Sequence, residues 1–440
     1  MNNLIVSKFG GSSFANAELT KRTVEIIKSN PNRRFIIVSA PGKTDEDTGI
    51  TDLLFMCHSA CANGEDYQNI LDTISERFNK IIDGLELKYN VAAEMIALKN
   101  DLVSGKSLDY IGSRGEYIMG KIMSKFLGWE FVDASGIILF DRNGNLDQIK
   151  TLDATNKRLK DLEYAVIPAF YGSMPNGEIK TFARGNGGTT GALVACTMNA
   201  SLCEKWSETA KVYGADPVVI PDAELIKNIT YDEAAELNYI GIKIVNDDVI
   251  FMLRDAGIPL KVSSIFCPKN EYTLLTTKLP ESASRNISVC IAGRRNYNIV
   301  HISKYGLNKE YGFGEKLFGL FAKYHVPCEH CLSGIYKMSI VLKTPMFDIN
   351  RVALFEEIQR VVKPDSISVE KGLSLIAIIG EGMRTVAGRA QKVFSALAEM
   401  DINVLMIDHG SDDLNIIIGV NDNDYEKAVK ALYEKTVVIS

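Results

Sequence analysis

The hexapeptide Lys8-Phe9-Gly10-Gly11-Ser12-Ser13 constrains the fold of this chain more than any other stretch. It follows the apolar run Leu4-Ile5-Val6, which reads as a buried strand. It precedes a helical pattern whose apolar positions are Leu19, Val24, Ile26 and Ile27. Two glycines between strand and helix let a ligand approach the backbone, because neither carries a Cβ. Successive N–H groups at such a turn attract anions, and a lysine beside them adds full positive charge. The stretch reads as a polyphosphate cradle with Lys8 as its charge clamp. The plainer reading is a tight turn carrying a surface lysine. It is not a Walker A loop, which closes a longer glycine frame with Lys-Ser/Thr.

Strand and helix signals then alternate. Residues 33–40 form a second apolar run, broken by Pro41-Gly42, and the polar stretch 43–51 is suited to a lid. A mostly helical region extends to about Leu127, with breaks near Asn63-Gly64 and Ser104-Gly105. In it, Ser113-Arg114-Gly115-Glu116 predicts a helix start. Glu116 would then sit in the first turn, where the helix dipole favours a carboxylate. Further strands are expected at 130–132, 136–140 and 165–170. This is the pattern of a largely parallel sheet covered by helices, which binds ligands at the carboxyl ends of its strands. Lys8, Ser39 and the Gly172 loop fall at such ends.

A second glycine-rich point lies at residues 181–195. Arg184-Gly185-Asn186-Gly187-Gly188 reads as a loop, and Thr189 and Thr190 can cap the helix that follows. An arginine beside a helix start suits a carboxylate or a phosphate. Residues 203–219 give a strand and a turn, in which Trp206 and Tyr213 either flank a base or belong to the core. Lys243 lies in the run 240–245, and 260–264 is another strand.

After about residue 285 the texture changes. Strands at 287–291 and 300–302, a helix at 313–324 and a strand at 338–342 form one unit. A strand at 375–379, a helix at 386–400, strands at 403–408 and 414–420 and a helix at 425–433 repeat it. Two units of roughly 70 residues with helices between strands read as a duplicated ferredoxin-like module.

A length of 440 residues suits two or three domains, and 46% hydrophobic with 24% charged residues is the balance of a soluble globular protein. A net charge of −6 argues against a nucleic-acid footprint. No apolar run approaches the roughly 20 residues of a membrane span. The first residues enter a strand without a signal-peptide layout, so the expected location is cytoplasmic. The eight cysteines are scattered, which suits a reducing compartment. Cys57-His58 with Cys61, and Cys328 with His330, Cys331 and His325, hold ligand-type residues. A structural zinc site wants four ligands, usually from two pairs, so half-buried thiols are the default reading.

With these stretches assembled, the chain resembles the aspartokinases of the amino-acid kinase family over essentially its whole length. The resemblance rests on the hexapeptide, on Val38-Ser39-Ala40-Pro41-Gly42-Lys43 and on Ser113-Arg114-Gly115-Glu116-Tyr117. Residues 165–172, Thr181-Phe182-Ala183-Arg184-Gly185 and Ala215-Asp216-Pro217 add to it. Gly312-Phe313-Gly314, residues 329–334 and 407–419 match the family's paired ACT domains. It implies a three-layer α/β/α kinase sandwich over 1–285, then ferredoxin-like ACT units at 286–370 and 371–440, the second open to completion by a strand from 286–296.

The implied reaction is phosphorylation of the side-chain carboxylate of L-aspartate by ATP with Mg²⁺, giving 4-phospho-L-aspartate. This is the first step toward lysine, threonine and methionine. The implied regulation is feedback by lysine and/or threonine at an ACT interface, in a homodimer or a dimer of dimers, with no nucleic-acid or membrane partner. By position, Lys8 would stabilise charge on the transferring phosphoryl group. Gly10 and Gly11 would offer N–H groups to the phosphates, with Ser12 nearby. Ser39 and Thr51 would line the aspartate pocket. Glu116 would hold the substrate amino group and Arg184 its α-carboxylate. Trp206, Ser207, Glu208, Tyr213, Asp216 and Lys243 would surround the nucleotide. No side chain is assigned to a metal.

The chain departs from the family where the loop usually reads Arg-Gly-Gly-Ser-Asp: Gly188 stands in place of the acid. Ser207-Glu208 replaces a Thr-Asp, Val245-Asn246 a Leu-His, and Tyr336-Lys337 an Asp-Thr. The loss at Gly188 motivates two alternative expectations. One is a kinase for another acidic acceptor; the other is a catalytically weak amino-acid-binding regulatory homologue.

Overall fold

A computed structural model describes residues 3–44, 47–183, 185–208, 212–267, 271–279, 288–409 and 414–437. The chain divides into two compact units. One is built from residues 1–212, 225–238 and 243–283, the other from 213–224, 239–242 and 284–440.

The first unit runs through β1 (Ile5–Phe9), α1 (Ala17–Lys28), β2 (Arg33–Val38), α2 (Ile50–Ala62), α3 (Gln68–Gly84), α4 (Ala92–Val103), α5 (Leu108–Leu127), β3 (Glu130–Phe131) and α6 (Gln148–Leu159). It continues through β4 (Ala165–Pro168), β5 (Tyr171–Ser173), β6 (Ile179–Thr181), α7 (Gly188–Thr197), β7 (Leu202–Ser207), β8 (Asn228–Thr230), most of α8 (Tyr231–Ile240), α9 (Asp247–Asp255), β9 (Leu260–Ser264) and β10 (Tyr272–Thr276). Eight strands make one sheet in the order β3-β4-β2-β1-β7-β9-β10-β8. It is parallel from β3 to β9, and β10 runs antiparallel to β9. β5 and β6 form a separate hairpin. The stretch expected as a strand at 136–140 is instead a 3-10 turn at Ala134–Gly136 followed by isolated bridges from Leu139 and Phe140.

Central position explains the texture of β1. Flanked by β2 and β7, it is covered on both faces, and Ile5, Val6, Ser7 and Phe9 are buried. On one face Phe9 stacks on Trp206, with ring centroids 6.0 Å apart. Beside it lies a buried ion pair. The Glu204 carboxylate accepts from Arg33 Nε (2.7 Å) and Nη2 (3.1 Å), Ser7 Oγ (2.7 Å) and Trp206 Nε1 (2.9 Å). Burial works against this charge, but the Arg33 guanidinium and the other donors hold the carboxyl below its usual range.

Two helix starts differ from the sequence expectation. α5 begins at Leu108, not near Ser113, because Ser107 Oγ accepts from the Tyr110 N–H (3.2 Å) and caps it. Glu116 is therefore deep within the helix and buried. α7 begins at Gly188 with Gly187 in the cap position. Thr189 and Thr190 do not cap it; their hydroxyls are buried without a hydrogen-bond partner among the described residues.

The second unit holds β11 (Cys290–Ser303), α10 (Phe313–Lys323), β12 (His330–Ser333), β13 (Lys337–Lys343), α11 (Thr344–Val361), β14 (Ser366–Ile379), α12 (Arg389–Ala398), β15 (Met406–Asp408), β16 (Asn415–Asn421) and α13 (Tyr425–Thr436). All six strands pair antiparallel in the order β12-β13-β11-β14-β16-β15. The expected strands near 290 and 300 are one strand of 14 residues, shifted in register between Arg294 and Asn298, where Asn296 takes a φ of 71°. β11 and β14 each serve both repeats. One apolar core gathers Val300, Phe313, Phe321 and Phe347 under α10 and α11; another gathers Ile376, Val393, Ile418 and Leu432 under α12 and α13. No helix among the described residues is long and apolar enough to cross a membrane.

Candidate active site

The carboxyl ends of β1 and β2 turn toward each other through glycines. Gly42 N–H donates to the Gly11 carbonyl (2.9 Å). A Cβ on Gly11 would lie 2.8 Å from the Ala40 carbonyl oxygen, and one on Gly42 would lie 2.7 Å from the Gly11 carbonyl carbon. Backbone meets backbone here, so only glycine fits at either position. The Gly10 N–H is committed to the Trp206 carbonyl (2.8 Å). It is thus not available to phosphates, and the expected role of Gly10 narrows to the tight turn. Gly11 is the glycine of the hexapeptide that faces the pocket.

That pocket has a volume of about 350 Å³. Lys8, Gly11, Ser39, Thr51 and Glu116 line it, together with Gly42, Lys43, Asp52, Phe170, Gly185 and Gly187. The stretch 43–51 contributes Lys43, Gly49 and Thr51 to its wall. Arg77 on α3 pins that wall by donating to the carbonyls of Gly42 (2.7 Å) and Thr48, and it also reaches Ala15 O (3.2 Å). Phe170 follows β4 with a φ of 80°, an outlier for a bulky residue and a form of strain that clusters at functional sites.

The electrostatics of the pocket are unusual. Burial pushes the Glu116 carboxyl up to about 7, against a hydrogen bond from the Ala40 backbone and the attraction of Lys8 and Arg114. Its Oε2 is buried without a hydrogen-bond partner among the described residues. Burial brings Lys8 down to about 8; the Lys205 ammonium adds to this and Glu116 opposes it. A buried, unpartnered carboxylate oxygen near a desolvated ammonium is a site arranged for charged ligands.

The other expected residues fall in different places. Ser12 Oγ accepts from the Glu208 N–H (3.2 Å), and a Cβ on Gly10 would touch Ser207 Cβ, so Ser207 and Glu208 border the hexapeptide. Trp206 is a correction: its ring is fully buried between Phe9 and the Arg33–Glu204 pair, a core group closed to any ligand. Lys243 is exposed ahead of α9. Tyr213 and Asp216 belong to the second unit, where the Tyr213 carbonyl accepts from Cys290 Sγ and Asp216 Oδ1 accepts from Val218 N–H. Arg184 lies outside the described residues, but its neighbours Gly185 and Gly187 line the pocket. Sequence reasoning passed over Arg77, Asp52, Phe170 and Lys205. Of these only Lys205, which does not itself line the pocket, carried a signal, as a lysine inside a parallel strand whose neighbours Glu204 and Trp206 are buried.

No group of three or more His, Cys, Asp or Glu side chains among the described residues could hold a metal ion. The glycine cradle and Lys8 suit phosphate oxygens, so the residues fit a metal carried by a polyphosphate and water rather than by a protein cage.

A parallel sheet with this glycine turn, a lysine at the carboxyl end of its central strand and a buried acid opposite define a phosphoryl-transfer enzyme. The amino acid kinase family model matches residues 3–264 and an ACT domain model matches 376–436. Aspartate kinase of Clostridium acetobutylicum superposes with a TM-score of 0.92 at 36% identity, covering 98% of this chain and 99% of that one. Aspartokinase 3 of Bacillus subtilis is 29% identical over 446 residues, covering 98% of both chains. Aspartokinase III of Escherichia coli is 25% identical, covering 98% of this chain and 99% of its own. It has been solved with aspartate and ADP (R-state, TM-score 0.75) and with lysine and aspartate (T-state, TM-score 0.76). The chain belongs to the amino acid kinase family, and within it to the aspartate kinases.

Proposed function

We propose that the chain transfers the γ-phosphoryl group of ATP to the side-chain carboxylate of L-aspartate, giving 4-phospho-L-aspartate and ADP. One observation carries the reading: Lys8, the Gly11 turn, Ser39, Thr51 and Glu116, whose Oε2 has no partner among the described residues, face one cavity of amino-acid size. Aspartate and ADP bound to the E. coli relative support it.

Phosphoryl transfer asks for positioning and charge stabilisation more than for covalent chemistry. Glu116 takes the substrate ammonium, which satisfies the orphaned Oε2 and returns the carboxyl to its ionised form. Arg184 takes the α-carboxylate, Ser39 and Thr51 line the acceptor side, and Lys8 faces the transferring phosphoryl. The Gly11 turn lets the polyphosphate approach the backbone. Mg²⁺, when bound with ATP, neutralises charge on its phosphates. Ser207, Glu208 and Lys243 border the nucleotide.

The product feeds lysine, threonine and methionine formation, and lysine and/or threonine bound at an ACT interface regulates the enzyme. The lysine complex of the E. coli relative supports this regulation. Exposed Ile349 and Val352 on α11 suit a further copy of the chain, as a homodimer or a dimer of dimers. The eight free cysteines suit the cytoplasm. The test is ADP release in a coupled assay with L-aspartate, L-glutamate or neither. Release that depends on aspartate is expected; equal release in all three would contradict the reading.

A further inference from the structure

Lys205 occupies an unusual place. On β7 it pairs in register with Lys8 on β1, so both side chains leave the sheet on the same face. That face is the one covered by α7, since a Cβ on Gly191 would sit 3.4 Å from Lys8 Cβ. The opposite face holds Ser7, Glu204, Trp206 and Arg33, a network that is already neutral and satisfied. Lys205 Nζ donates to the Ile244 carbonyl, ahead of α9. No carboxylate forms an ion pair with it among the described residues, and burial lowers it to about 8. An ammonium has three donors, and among the described residues this one has a single neutral acceptor.

A purely structural group here would be cheaper without a charge, since an ammonium taken out of water without a counter-ion is unfavourable. Lys8 and Lys205 instead bring two cations, in register, to one face of adjacent strands beside the pocket that Lys8 lines. We propose that Lys205 is a second phosphate-facing cation of the active site, sharing with Lys8 the charge of the nucleotide's terminal phosphates. This rests on the phosphoryl-transfer reading above. It differs from a role in nucleoside recognition, because its strength depends on phosphate number.

The test uses the full-length chain with Lys205→Met, Lys205→Gln and Lys205→Arg, and calorimetric titration with AMP, ADP and ATP. Gln can still donate to the Ile244 carbonyl but carries no charge, so it separates a structural bond from a charge effect. We expect AMP affinity to be unchanged in all three. Met and Gln should weaken ADP and ATP by about tenfold to a hundredfold, and Arg should restore most of the loss. Equal loss for AMP and ATP, recovery by Gln, or no loss at all would overturn the proposal. A wild-type chain that prefers ATP to AMP yet does not phosphorylate aspartate would sink the acceptor assignment and leave Lys205 standing. A wild-type chain without preference for ATP would sink Lys205.

Discussion

Glu116 and Lys8 are perturbed in opposite directions within one pocket. Burial raises the first and lowers the second, and in the proposed reaction substrate supplies the missing partner of each. Glu116→Gln keeps the shape but loses the charge proposed to hold the substrate ammonium. We expect KM for aspartate to rise by about tenfold to a hundredfold with a smaller change for ATP, read from steady-state kinetics. If Glu116 holds the substrate ammonium as proposed, binding uses the ionised carboxyl, so KM for aspartate in the wild type should fall as pH rises from 6 to 8. Stability follows the opposite trend. Between the ordinary carboxyl value of about 4.3 and the folded value of about 7, the folded chain keeps a proton that the unfolded chain has lost. Stability from this group therefore declines as pH rises through that window, and the decline should be absent in Glu116→Gln when urea midpoints are compared across pH. The residue types of this site were legible in the sequence as Lys8, Glu116, Ser39 and Thr51. The shifts were not, because they come from burial by segments distant in the chain. Trp206 misled for the same reason: an aromatic beside a nucleotide motif looks identical whether its ring faces a base or, as here, Phe9 and Glu204.

The glycine turns after β1 and β2 work as one element. Gly42→Ala would drive a methyl into the Gly11 backbone, and we expect about 1–3 kcal/mol of lost stability by urea denaturation, together with weaker ATP binding. The wall formed by 43–51 depends on Arg77, which reaches three backbone carbonyls from α3. Arg77→Met should raise KM for aspartate while leaving the circular dichroism spectrum intact. Gly188 offers a third test at this scale. Among the described residues a Cβ there meets only Val249, at 3.4 Å, so Gly188→Asp should fold as the parent does, within a thermal scan's resolution, and a faster turnover would show that the acid suits this site. Strand order along the chain was readable from apolar runs and glycine breaks. Helix starts were less so: Ser107 caps α5 from six residues before the expected start, and the apolar pattern does not distinguish the two. The single long β11 was hidden by its own register shift near Asn296, where polar residues Arg294, Arg295 and Asn296 interrupt the apolar pattern.

At the scale of the whole molecule, each unit closes its own core. The kinase unit is stabilised through its central strands. The Arg33–Glu204 pair joins β2 to β7 beneath β1, and removing one partner by Glu204→Gln should cost about 3–5 kcal/mol, because it leaves a buried charge uncompensated. The C-terminal unit is an antiparallel sheet whose two longest strands run through both repeats, so the proposed effector, held by either half, would act on strands shared with the other. The central claim is narrower than this architecture: the pocket under the glycine turns makes an acyl phosphate on aspartate. Phosphorus NMR of the full-length chain with ATP, Mg²⁺ and L-aspartate tests it most directly. An acyl-phosphate resonance that appears with aspartate and is absent from Lys8→Met is the expected result. ATP consumption without that resonance, or the same resonance in Lys8→Met, would contradict the account.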